Sequence, residues 1–105
     1  MTPELIATRC LRARRHEGDP FGIQVGIGRP VACSDQEWKC AVIVTGLHDR
    51  LLDQHGIDSW QALMLAQRLA RQLLEYFLED GGRLWYPESE DTPVDLSAMF
   101  SGGTL

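Results

Sequence analysis

The sequence reads as an α+β two-layer sandwich: a mainly antiparallel four-stranded sheet in the order β-β-β-α-β, with one long helix on one face. Three stretches carry that reading. Residues 56–85 form one capped helical pattern followed by a short strand pattern. Residues 21–33 alternate apolar with small or polar side chains, as a half-buried strand does. Residues 38–45 are apolar on both faces, which predicts a central strand.

In chain order, residues 5–15 alternate loosely, with Leu5 and Ala7 then Leu11 and Ala13, and are expected to form the first strand. His16-Glu17-Gly18-Asp19-Pro20 is a turn, because Gly frees φ and Asp-Pro favours turn initiation. In the second strand, Phe21, Ile23, Val25, Ile27, Val31 and Cys33 share one face, and Gly22, Gln24, Gly26, Gly28 and Pro30 the other. A polar hairpin loop, Ser34-Asp35-Gln36-Glu37, leads to the third strand. That strand presents Trp38, Cys40, Val42 and Val44 on one side and Ala41 and Ile43 on the other. Residues 46–56 connect it to the helix through a wet loop holding His48, Asp49, Asp53 and His55, with Leu51 and Leu52 as a candidate short edge strand.

The helix has its start and stop written locally. Asp58 is a natural N-cap and Gln61, three residues on, completes a capping box, while Ile57 is placed to staple onto Ala62. Leu63, Ala66, Ala70, Leu73, Leu74 and Phe77 make the apolar face; Gln61, Arg68, Gln72, Glu75 and Glu79 make the wet one. Gly81 supplies the left-handed stop and Gly82 releases the chain into a final strand at residues 83–87. The single domain is thus expected to span residues 1–87. Residues 88–105 are acidic and small and read as a mobile C-terminal tail, with Val94, Leu96, Met99 and Phe100 as a docking segment. The core is expected to include Ile23, Val25, Ile27, Val42, Val44, Leu63, Ala66, Leu73 and Phe77.

A chain of 105 residues is one domain. Its formal net charge of -5 has the opposite sign to that needed for phosphate neutralisation. No nucleic-acid partner is therefore expected, and a basic protein is the better-matched one. Three cysteines are an odd count and make no disulfide framework. No basic segment runs into an apolar one and nothing reaches a spanning length, so no signal peptide and no membrane association are expected. A cytoplasmic location with reduced thiols follows as the expectation.

No motif assigns a reaction. The Gly-x-Gly within residues 22–28 lies inside a strand, not at the strand-to-helix turn where backbone N–H groups converge on phosphate. It reads as a sheet face approached closely by other groups. Cys33, Cys40, His48 and His55 are Cys2His2 residue types, but six, seven and six residues separate them, wider than zinc-chelating pairs. Two buried core thiols explain the cysteines more simply, so neither metal nor any other cofactor is expected. A thiol activated by His48 or His55 has no local signature, and no catalytic residue is assigned. Arg9, Arg12, Arg14 and Arg15 make a basic patch, whereas acids crowd residues 75–95. The partner-binding candidates are Glu75, Tyr76, Glu79, Asp80, Trp85, Tyr86 and Glu88: acids to steer a basic partner, and rings to anchor it.

Gly56-Ile57-Asp58-Ser59-Trp60-Gln61-Ala62-Leu63, with Leu65-Ala66 and then Gly82-Arg83-Leu84-Trp85, resembles a family of small bacterial domains of unknown function. Trp38-Lys39-Cys40 matches the strand that precedes that helix start, although Trp85 follows Leu84 directly, a departure from the family's ending. The likeness covers most of residues 5–87 and implies a small bacterial protein without an assigned activity. Such proteins look similar in size, acidity and build to immunity proteins that neutralise secreted toxins, an analogy at the level of fold. The expected function is accordingly non-enzymatic: an immunity-type protein that binds and neutralises a bacterial toxin. The alternatives are a homodimeric accessory domain joined through helix 58–80, with Met64, Leu65 and Leu69 as its seam, and a small enzyme using His48, His55 or a cysteine.

Overall fold

Residues 21–45 make one long hairpin that leaves one sheet and enters another. In the computed structural model, which describes residues 3–101, the strands are β1 (Leu5–Arg14), β2 (Phe21–Gly28), β3 (Val31–Ser34), β4 (Glu37–Cys40), β5 (Val42–Thr45), β6 (Gln54–Gly56), β7 (Arg83–Tyr86) and β8 (Ser89–Pro93). The helices are α1 (Ser59–Glu79), between β6 and β7, and α2 (Leu96–Ser101). One sheet has five strands in the order β5-β2-β1-β7-β8 and the other has three, β3-β4-β6. The pairings are antiparallel.

This overturns the expected single four-stranded β-β-β-α-β sheet with one helix. The cause lies at Arg29-Pro30. Ile27 faces Val42 and Val31 faces Lys39, so residues 28–30 on one arm span the same step as residues 40 and 41 on the other. Pro30 has no N–H for the ladder, and the extra residue bends the strand. It also reverses the side-chain parity of everything beyond it. Ile23, Val25 and Ile27 are buried, whereas Val31 and Cys33 are exposed and do not share their face. The other arm keeps its parity: Cys40, Val42 and Val44 are buried and Trp38 packs against them.

The single central strand expected at residues 38–45 is divided: β4 is central in the three-stranded sheet, and β5 is an edge of the five-stranded one. The second apolar face of β5 has a local use. Ile43 and Leu5 cover the bare backbone of Gly26, where an added Cβ would meet Ile43 Cγ1 at 2.9 Å and Leu5 Cδ1 at 3.0 Å. Beyond Tyr86 the chain turns back as β8, an exposed acidic edge strand of the kind that discourages edge-to-edge pairing. Val94 and Leu96 are buried, and Met99 and Phe100 pack alongside. Asp95 caps α2 by accepting from the Ala98 N–H at 3.2 Å. Residues 102–105, part of the expected tail, lie outside the described residues.

The ends of α1 follow their local signals. The Asp58 carboxylate accepts from the Gln61 N–H at 2.7 Å, and Gln61 Oε1 accepts from the Ile57 N–H at 2.8 Å. Gly81 takes φ +94, its N–H donates to Leu78 and that of Gly82 to Phe77, the double bond of a Schellman stop. The expected staple does not form, because Ile57 points into solvent. The buried line is Ala62, Ala66, Ala70, Leu74 and Phe77. Leu63 and Leu73, expected in the core, flank it half-buried. Phe77 meets Phe21 edge to face at 6.1 Å, and the Arg15 guanidinium lies 5.5 and 5.6 Å from the two rings.

Leu74→Ala should therefore cost about 2–5 kcal/mol in urea unfolding, and Leu73→Ala distinctly less. The reverse order would put the buried line of α1 one residue away from where it is described.

Candidate functional site

The partner-binding candidates are dispersed. Leu84 enters the helix-side core, so its neighbour Trp85, opposite Arg12, projects from the other face of the five-stranded sheet. Trp85 is only 5% exposed there, with the Arg83 guanidinium 5.7 Å from its ring. Tyr86 is half-buried beneath Arg9, whose guanidinium lies 4.3 Å from the ring centroid. Glu75 is paired with Arg71 at 2.8 Å. Glu88 is exposed in the turn before β8. Tyr76, Glu79 and Asp80 remain together and exposed at the end of α1.

Tyr76 belongs to a longer surface. Trp60, Met64, Arg68, Gln72 and Tyr76 recur every fourth residue of α1. Trp60 stands two residues before Ala62, about 200° around the helix, so this line faces away from the alanine line. Trp60 is 74% exposed, Met64 48% and Tyr76 52%, and Ile57, just before the N-cap, is 70% exposed. Singly exposed apolar residues are ordinary, but a tryptophan and a methionine one helical turn apart, with an exposed isoleucine just before the same helix, are not. Trp60 and Ile57 were missed from the sequence because Ile57 was assigned to the staple and Trp60 to no face. The helical period alone places Trp60 outside.

The titratable side chains gather differently from their sequence spacing. The supposed Cys2His2 set separates. Cys40 is buried and donates to the Gly28 carbonyl at 3.2 Å, Cys33 is exposed, and His48 lies exposed beyond β5. His55 instead meets Cys33 and Glu37, one residue from each strand of the three-stranded sheet. Their donor atoms lie within 4.8 Å of one another, with His55 Nδ1 3.3 Å from Glu37 Oε2. Glu37 was missed because it was read as loop, although it shares parity with Lys39, which pairs with His55. A groove at the hairpin bend mixes Arg29, Lys39 and Arg50 with Glu4, Asp49 and Asp53. None of its charged residues is buried. Among the described residues, no ion pair joins the arginines of β1 to the acids of residues 75–95.

A family model, "Domain of unknown function (DUF6968)", matches residues 7–96. The chain belongs to that family. The matched segment runs from β1 to the first residue of α2 and takes in both sheets, the outer line of α1 and the Cys33–Glu37–His55 group. No curated protein and no solved structure matches the chain. Among the described residues, no helix is long and apolar enough to cross a membrane.

Burial pushes the Cys40 thiol above its ordinary value of 9.0, and the Asp53 charge adds to the rise. In the native protein Cys10 and Cys33 should react quickly with a thiol reagent and Cys40 only on unfolding, as read by peptide mass spectrometry; early labelling of Cys40 would contradict its burial. The sign for stability follows. Above pH 9.0 the unfolded thiol ionises while the folded one keeps its proton, so stability falls as pH rises there. Urea unfolding of Cys40→Ala beside the parent chain should show that alkaline loss smaller in the variant.

Proposed function

We propose that this chain is a non-enzymatic protein-binding module of the immunity type, which docks on a basic protein such as a secreted bacterial toxin and neutralises it in the cytoplasm. One observation carries the reading: Trp60 and Met64 stand exposed one turn apart on α1, with Ile57 exposed just before its N-cap, although the opposite side of the helix already fills the core. Large rings and methionine are the residue types that anchor interfaces when a partner removes them from water. The line ends at Tyr76, Glu79 and Asp80, and the chain carries a net charge of -5. Acids beside an apolar anchor speed the approach of a basic partner and disfavour acidic ones.

The test begins with capture of a basic, stoichiometric partner from the native source, followed by a measured Kd. Trp60→Ala should weaken binding by about 2 kcal/mol or more, roughly 30-fold. The fold should survive, since the side chain is mostly in water. Tyr76→Ala should weaken binding less, and added salt should slow association. A partner indifferent to both substitutions would sink the proposal. If the chain binds only itself, and Met64→Glu returns it to a monomer in sedimentation, the homodimer reading replaces this one.

A further inference from the structure

We propose that Cys33, Glu37 and His55 bind one zinc-class divalent ion on the face of the three-stranded sheet that points away from α1, leaving the fourth coordination position open. The three residues supply a thiolate, a carboxylate and an imidazole, each an established zinc ligand. A thiolate beside an imidazole selects zinc and its neighbours in the transition series over magnesium or calcium.

The backbone aims all three at one point. Lys39 lies opposite both Val31 and His55, so these residues share a face, and Glu37, two residues from Lys39, joins them. The register slips between Ala32 and Ser34, which makes Cys33 the extra residue of a bulge beside Glu37. The alternate side chains, Trp38 and Cys40, pack in the core, and the bare backbone of Gly56 lies against α1. An added Cβ on Gly56 would stand 2.6 Å from the Ala62 nitrogen, so β6 has no room to shift toward the helix. Side chains on such a fixed platform need only rotate to meet an ion.

The distances suit the geometry. Nitrogen and oxygen bonds of about 2.0–2.1 Å to a tetrahedral ion set a ligand separation of about 3.4 Å; His55 Nδ1 and Glu37 Oε2 are 3.3 Å apart. The sulfur, within 4.8 Å of both partners, closes the site by moving about 1 Å, given a zinc–sulfur bond of about 2.3 Å. A surface ion pair accounts for His55 and Glu37 but not for the thiol beside them. A cysteine nucleophile would need preorganised oxyanion donors in a water-excluding pocket, and these three side chains are exposed.

The reduced, chelator-stripped full chain should be titrated with Co2+ and then with Zn2+. One equivalent of Co2+ should produce a thiolate-to-cobalt charge-transfer band that Zn2+ abolishes, and Zn2+ should raise the Tm, because only the folded chain assembles the ligands. Cys33→Ser should remove the band and weaken Zn2+ by at least ~10-fold, as should His55→Ala; Cys10→Ser should change neither. All these side chains are exposed, and circular dichroism of each variant verifies the fold. A chain that gives no band, or a band that Cys33→Ser leaves intact, overturns the proposal.

Discussion

Three alanines on one side of α1 set the distance at which the rest of the chain packs. Ala62, Ala66 and Ala70 are buried, and Leu74 and Phe77 continue their line. A methyl group lets a helix lie closer to a sheet than a leucine does, and the same helix touches β4 and β6 in one sheet and β5, β2 and β7 in the other. Only a narrow, small-residue contact line serves two surfaces meeting at an angle, because wide side chains would hold one of them off. The half-buried leucines Leu63, Leu69 and Leu73 then fill the space to either side of that line. Gly56 belongs to the same constraint: it lets β6 run against the first turn of the helix with no side chain between them.

The second constraint is the hairpin that supplies both sheets. Its two arms differ by one residue at the bend, and parity makes that one residue consequential. The arm from Trp38 to Val44 keeps one face inward throughout and ties the two sheets into a single core. The arm carrying Arg29-Pro30 changes face, which sends Val31 and Cys33 out of the core. Cys33 thereby stands on the outward face of the three-stranded sheet, where the regular alternation of β4 and β6 already places Glu37 and His55.

What was legible in the sequence was what local physics decides. The Asp58 N-cap, the left-handed glycine stop and the alternation of Phe21–Gly28 each depend on neighbours within a few residues, and each formed. What was not legible depended on partners distant in sequence. Periodicity cannot show that a Pro inside an apolar run begins a new sheet, or that Ile43 is apolar because Gly26 beside it is bare. The broad apolar face of the helix was visible, but its centre was set by which strands it meets, so Leu63 and Leu73 were taken for core and Ala62 was not. The site fared likewise. Tyr76 is exposed on α1, Trp85 is buried beside an arginine that alternation alone does not reveal, and Glu37 was hidden because it was read as loop.

The exposed residues around β6 and the start of α1 are not explained by folding. Asp58 accepts from the Gln61 N–H and Gln61 accepts from the Ile57 backbone N–H, bonds that use neither the Ile57 nor the Trp60 side chain. The core closes around Ala62 and Ala66 without Met64. A residue the fold needs would lose buried area or a hydrogen bond on truncation, and Ile57 and Trp60 would lose little of either. His55, Glu37 and Cys33 likewise sit on a sheet whose packing is carried by its other face. Exposed apolar surface is a liability for solubility. Polar replacements at Ile57, Trp60 and Met64 would keep the helix and lower that cost. Fold stability therefore gives no reason for these side chains, and that is the ground on which contact with another molecule is proposed for them.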